Sequence, residues 1–362
     1  MPIYMDFHDL PEINVEDSHE AHLRDLAVQE KYKVKYHQYW INEKDGKAYC
    51  LIEGPSKEAC EATHREANGI KACNLVEIKK GMYDLFLGDN QQIDHGLVRH
   101  INGEIDNGYR FIMSLKLIAP VKEPTNRERF QKSFDQLKLE CIGIIEKFQG
   151  RDMDHLNNHI IGVFMTPGAA LNSSIDLRKH LHSTLLKRRY KNVKFKIGIC
   201  VGQPVTAAQG FFEEAINFSE ILCDISKSSK ITSSRSFADF SNLEHNQDLK
   251  KKYRVVEDRD GKFLSKLYDF TKENLDNHEL NVKSLCESMG VSRAQLYRKT
   301  TNLTGFSPNN FIRNIRLKKA FELLKKGGAN ISETSLDVGF NNASYFTKCF
   351  QKKYGVSPSK IK

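Results

Sequence analysis

The chain has 362 residues, 40% of them hydrophobic and 28% charged, which suits two or three folded domains and argues against a disordered chain. No apolar run nears the ~20 residues of a membrane helix, and the start, MPIYMDFHDL, lacks the basic-then-apolar pattern of a secretory signal. The net charge of +9 is unevenly held: residues 262–362 carry 18 Lys/Arg against 8 Asp/Glu, and the remainder 37 against 38.

A basic C-terminal segment joined to neutral ones points to a polyanionic partner, because each phosphate it neutralises releases condensed counterions. The eight cysteines, Cys50, Cys60, Cys73, Cys141, Cys200, Cys223, Cys286 and Cys349, contain no CxxC pair. Such scatter fits a reducing cytoplasm better than a disulfide framework.

Residues 1–80 predict strand, helix, strand, strand, helix, strand. PIYMDF opens as a strand, and VEDSHEAHLRDLAVQEKY has helical spacing. VKYHQYWI and AYCLIEG flank an Asp-Gly turn as a hairpin. KEACEATHREAN is helical again, and NLVEIKK closes a ferredoxin-like βαββαβ order. Asp6 and His8 share a strand face, His22 and Asp25 a helix face, and Cys60 and His64 lie one turn apart. These groups can ligate a borderline metal such as nickel or zinc, against the plainer reading of solvated or hydrogen-bonded histidines.

Residues 84–243 alternate strands and helices as an α/β domain. RFIMSLKLIAP, HIIGVFM and FKIGICVG are its buried strands, with long helices between and after them. KITSS reads as either part of a linker or a short edge strand. The charged stretch 244–262 has no period and is expected to be the linker.

From Phe263 to the end only short helices are predicted, and the segment repeats. Gly305-Phe-Ser-Pro308 recurs as Gly355-Val-Ser-Pro358, an offset of 50 that also pairs Ser292 with Asn342, Leu296 with Phe346 and Arg298 with Lys348. Each copy has the parts of a helix-turn-helix. Gly290 and Gly339 make the turns, since absence of Cβ permits positive φ. Ser292 with Gln295 forms a capping box, and Asn341 or Asn342 caps the second recognition helix. Arg293, Ala294, Tyr297 and Arg298 then face outward in the first copy, and Ala343, Ser344, Tyr345 and Lys348 in the second. Two such helices can enter successive major grooves, about 34 Å apart. A plain helical bundle is the alternative, and the duplication together with the charge excess argues against it.

This block resembles the C-terminal domain of the AraC/XylS family of bacterial transcription regulators, most specifically in its VGF-x-x-x-SYF-x-x-x-F-x-x-x-x-G-x-SP run. The resemblance implies base contacts from Ala294, Tyr297 and Arg298 and from Ala343, Ser344, Tyr345 and Lys348. Thr334-Ser335 depart from it, standing where an apolar pair is usual, and Ile361-Lys362 replace a frequent Tyr-Arg.

The middle block resembles class III nucleotide cyclases in FKIGICVGQPV and FFEEAINFSEILCDISKSSKITSS. The resemblance keeps Asn217 but puts Ile221 at the catalytic Arg position, Asn158 at one metal-binding Asp, and no Asp in MSLKLIAP for the other. Cyclisation needs those metal ligands, so no catalysis is expected. The first block resembles a ferredoxin-like family with members described as nickel-binding, through MDFH, AHLRDLAVQEKY, YCLIEGP and HREANG; from the shared faces above, His8, His22 and His64 are the first ligands to test.

The expectation is a multidomain α+β protein: a ferredoxin-like unit, a degenerate cyclase-like domain and an all-α double helix-turn-helix at 263–362. It would act in the cytoplasm as a transcription regulator or activator on double-stranded DNA. Its further candidate partners are RNA polymerase, a small-molecule or metal effector and a second copy of the chain. A DNA-tethered cyclase and a metal-homeostasis protein are the competing readings.

Overall fold

The computed structural model describes residues 1–79, 81–88, 91–119, 127–155, 159–186, 190, 193–227, 230–326 and 330–361. The first unit runs β1 (Ile3–Asp9), α1 (Val15–Val28), β2 (Lys35–Asn42), β3 (Lys47–Glu53), α2 (Lys57–Asn68) and β4 (Asn74–Glu77). Its strands pair antiparallel in the order β4-β1-β3-β2, the split-βαβ arrangement. Successive side chains of a strand point to opposite faces. Tyr4 therefore packs with Leu26 of α1 and Cys60 of α2, while Met5 and Phe7 enter the core shared with the rest of the chain.

The first sheet does not stop at Lys80. After α3 (Met82–Phe86) come β5 (Gln91–Asp94) and β6 (Leu97–His100), and β6 joins β2 in parallel through Leu97 and Tyr39. The polar run QQID hides this hairpin from a hydrophobic-pattern reading. Its turn is built by His95 and Gly96, both at positive φ, as two-residue hairpin turns require.

A second unit has the same order of parts: β7 (Arg110–Ile118), α4 (Arg127–Lys147), β8 (Arg151–His155), β9 (His159–Phe164), α5 (Pro167–Leu185) and β10 (Lys194–Gly202). Its strand order, β10-β7-β9-β8, repeats that of the first. Phe111, Met113, Leu115 and Leu117 of β7 share a core with residues of α4 and α5. On the other face Ser114 bonds Ser219 and Lys116 bonds Asp224, both on α6 (Glu213–Ile225). Gly198 makes this approach possible, because a Cβ there would stand 2.2 Å from the Cys223 nitrogen.

The fold departs from two expectations. KITSS supplies β11 (Ile231–Ser234), whose four residues are all buried between β10 and β12, so it is neither linker nor edge. The presumed linker 244–262 is folded. After α7 (Arg235–Phe240) it forms α8 (Gln247–Lys252), β12 (Tyr253–Val256) parallel to β11, and the first turn of α9 (Asp258–Glu273). Tyr253 and Val256 are buried, but two apolar anchors in a lysine-rich stretch show no period.

The helical end follows with α10 (Val282–Met289), α11 (Arg293–Thr304), α12 (Pro308–Lys326), α13 (Ile331–Asp337) and α14 (Ala343–Tyr354). Leu264 and Leu267 of α9 join Leu285 and Leu296 to Leu222 and Ile225 of α6 in one hydrophobic cluster. The second helix-turn-helix packs separately, around Leu317, Leu324, Phe340, Phe346 and Phe350. Charge adds to the docking: Asp224 receives Lys116 at 2.7 Å and Lys318 of α12 at 2.9 Å. Among the described residues no helix is long and apolar enough to cross a membrane.

Candidate functional site

The first recognition helix starts as the sequence predicts. Ser292 accepts a hydrogen bond from the Gln295 backbone at 3.3 Å, and the Gln295 side chain accepts one from the Ser292 backbone at 3.2 Å. Leu296 and Thr300 turn inward, leaving Arg293, Ala294 and Arg298 exposed. Tyr297 is half-buried against the core, its ring 5.9 Å from the Arg293 guanidinium. Neighbouring Lys299 is occupied by packing, 3.4 Å from Asp260 and 5.0 Å over the Phe263 ring.

In the second unit the cap is Asn342, which accepts from the Tyr345 backbone at 2.8 Å. Phe346 and Phe350 form the buried stripe, Ser344, Tyr345 and Lys348 are exposed, and Ala343 is half-buried. Sequence reasoning missed Arg313 of α12, which donates to the Tyr345 hydroxyl at 3.0 Å and to Asn310 at 2.5 Å. Only the fold brings α12 alongside α14, so no local signal marked it. Neither recognition helix has an acidic residue in its first turn, which leaves the positive end of each dipole open to phosphate. Basic, exposed, N-capped helices of this kind can both hold a phosphate backbone and reach base edges.

A second cluster lies in the first unit, between β1 and the helices that cover it. Donor atoms of Asp6, His8 and His64 all lie within 4.8 Å of one another, and the three residues are buried. His8 Nε2 is 3.1 Å from Asp6, whose other oxygen accepts the Cys50 backbone N–H at 2.6 Å. Burial opposes the charge on Asp6, but His8 beside it holds the carboxyl below its ordinary range. His64 Nδ1 sits 3.1 Å from Asp25, which Asn68 also bonds at 2.8 Å. That leaves His64 Nε2 buried with no partner among the described residues. Asp25 thus orients His64, as outer-shell carboxylates do for metal-bound imidazoles.

His22 is not part of this cluster. It is buried against Tyr39, ring centroids 4.9 Å apart, with Nδ1 unpartnered, and burial pushes its pKa down to about 4. Its i, i+3 neighbour Asp25 points instead to His64, a pairing across two helices that spacing along one helix cannot reveal.

Of the cyclase positions, Asn217 lies half-buried on α6, Ile221 is buried in the core, and β7 carries no carboxylate. Asn158 lies outside the described residues.

Two stretches of the chain match known families. Residues 285–362 match a family described as a helix-turn-helix domain, and residues 4–78 one described as nickel responsive protein SCO4226-like. Histidine kinase P4 of Formosa agariphila is 38% identical over 122 residues, 34% of this chain and 9% of that protein. The HTH-type transcriptional regulator MtrA of Neisseria gonorrhoeae is 38% identical over 84 residues, 23% of this chain and 28% of that one. The solved structure of SCO4226 from Streptomyces coelicolor is 39% identical, covering 21% of this chain and 94% of that one with a TM-score of 0.20. The chain thus spans less than a third of the length of the two curated relatives.

Proposed function

We propose that this chain, which carries an AraC-type helix-turn-helix region at its C-terminal end and an SCO4226-like region at its N-terminal end, is a sequence-specific DNA-binding transcription regulator. The observation that carries the reading is the pair of capped recognition helices, each presenting exposed basic and polar side chains on a buried apolar stripe. Arg293, Ala294, Tyr297 and Arg298 are assigned to one major-groove contact, and Ala343, Ser344, Tyr345 and Lys348 to the next. The upstream units regulate rather than catalyse, a reading supported by Ile221 in the core where the cyclase resemblance needs an Arg. RNA polymerase, an effector and a second copy of the chain remain its proposed partners.

Selection of duplexes from a random pool by the full chain tests this. Enrichment of a two-part site with elements about one helical turn apart is expected; failure to enrich any sequence would overturn the reading.

The orphaned His64 Nε2 favours a second role for the first unit. One carboxylate and two imidazoles are a donor set suited to nickel or zinc. Asp6, His8 and His64 would hold such an ion, and its charge would fix β1 to α2.

A further inference from the structure

The first two units meet around a cavity of about 700 Å³ that neither the DNA-reading face nor the histidine cluster uses. Its walls come from the segment joining β6 to β7, the turn between α4 and β8, the β9–α5 junction and the end of α7. Its size falls in the range of about 300–1,000 Å³ typical of small-molecule sites.

Three aromatic rings line it. Phe240 stands edge-on to Tyr109 and to Phe111, with centroids 6.2 and 5.6 Å away, yet remains 41% exposed. Ile101, at the same cavity, is 68% exposed. Large apolar side chains left uncovered beside a cavity suit an apolar occupant.

The charges choose its sign. Glu104 and Glu146 line the cavity, with Asn102 beside Glu104. Arg151 also lines it, held in place by donating to the Asp84 carbonyl and lying against Gly88, where any side chain would collide with it, so two carboxylates stand there against one guanidinium. Of the other titratable groups there, Tyr109 donates its hydroxyl to Asp45 at 2.5 Å and His100 faces the Asp106 carboxylate at 4.0 Å. Aromatic rings beside carboxylates attract a cation through the ring quadrupole and through direct charge.

We propose that this cavity binds a small organic cation, an amine or quaternary ammonium carrying an apolar body. Its position suits an effector. Phe240 ends α7, and Arg235 at the other end of the same helix pairs at 2.6 Å with Glu257, the residue that precedes α9. The effector role rests on the DNA-binding reading, whereas binding itself does not.

The test is calorimetric titration of the full chain, without DNA, using phenethylamine and the similarly shaped anion 3-phenylpropanoate. Saturable one-to-one binding of the amine and none of the carboxylate is expected. Phe240→Ala and Glu104→Gln should each weaken it about tenfold. The Glu104 side chain is exposed and packs no ring, so unliganded Glu104→Gln should keep the parent's thermal midpoint, whereas Phe240→Ala gives up its two ring contacts and should melt slightly lower. Absence of saturable amine binding, equal binding of the anion, or indifference to both substitutions would each overturn the proposal. Duplex selection, done without amine, reports separately on the DNA-binding reading.

Discussion

Asp106 and Arg110 form a bidentate ion pair, 2.9 and 2.8 Å long, in which neither residue exposes any surface. The pair stands where the first sheet hands over to the second. Asp106 also accepts from Trp40 at 3.3 Å, Gln91 at 2.5 Å and the Gly108 backbone at 2.9 Å, and Arg110 donates to the Phe86 carbonyl at 2.5 Å. Removing one partner strands a buried charge, so Arg110→Met should cost about 3–5 kcal/mol in chemical denaturation. Burial opposes the charge on Asp106, yet Arg110 holds its carboxyl below the ordinary range. The folded value is thus lower than the unfolded one. This stabilisation is complete above the unfolded value of about 4 and is lost as pH falls through the folded value. Melting curves between about pH 6 and pH 3 should show that acid loss in the parent and less of it in Arg110→Met.

The two turn glycines of the helix-turn-helix units should differ in cost. Both have positive φ, 64° at Gly290 and 78° at Gly339. A Cβ at Gly290 meets nothing within 4 Å, whereas one at Gly339 would stand 2.4 Å from the Leu275 carbonyl oxygen and 2.8 Å from Arg316 Nη2. Gly290→Ala should therefore cost about 1 kcal/mol, the left-handed strain alone. Gly339→Ala adds overpacking and should cost about 2–4 kcal/mol. Urea melts of the two variants decide it; equal losses would contradict the packing difference.

For DNA, Arg298→Ala and Lys348→Ala should each weaken binding to a selected duplex by about 1–3 kcal/mol if they contact bases. Lys299→Ala serves as the contrast, because its ammonium is already engaged by Asp260 and the Phe263 ring. It should lower thermal stability while leaving duplex affinity near that of the parent. Fluorescence anisotropy at fixed salt measures all three, and unchanged affinity in both Arg298→Ala and Lys348→Ala would refute the assigned face.

What could be read without a fold was local. The Ser292–Gln295 box, a cap at Asn341 or Asn342 that the fold assigns to Asn342, and the Phe346/Phe350 stripe all depend on residues within one helical turn of each other. The first βαββαβ order was legible for the same reason: its strands alternate and its hairpin has a strong turn. Long-range partners were not legible. Asp224 is far in sequence from Lys116 and Lys318, and Asp25 reaches His64 from another helix. The strand β12 escaped notice because a parallel partner supplies its backbone bonds, so four residues suffice without a hairpin signal.

The histidine cluster separates two residues of one type by geometry. His64→Ala removes the unpartnered Nε2 beside Asp6 and His8, and should abolish uptake of one equivalent of nickel or zinc by the full chain, read by calorimetry. His22→Ala lies outside the cluster and should leave that stoichiometry unchanged. Loss of metal in His22→Ala with retention in His64→Ala would reverse the assignment.

Thr334 and Ser335 stand where the AraC/XylS resemblance leads one to expect an apolar pair, and both are buried. Their hydroxyls fare differently. Ser335 donates to the Ser332 carbonyl at 2.8 Å, whereas the Thr334 hydroxyl has no partner among the described residues. A buried hydroxyl without a partner loses its hydration and gains nothing in return, at a cost of about 1–3 kcal/mol. Valine keeps the β-branched shape of Thr334, and threonine and valine have similar helix propensities. Thr334→Val should therefore raise stability by about 1–2 kcal/mol, visible as a higher melting temperature of the full chain. Ser335→Ala loses a bond instead and should not stabilise. If Thr334→Val melts lower than the parent, the hydroxyl has a bonding partner in solution, and the second unit tolerates its departure from the apolar pattern for that reason.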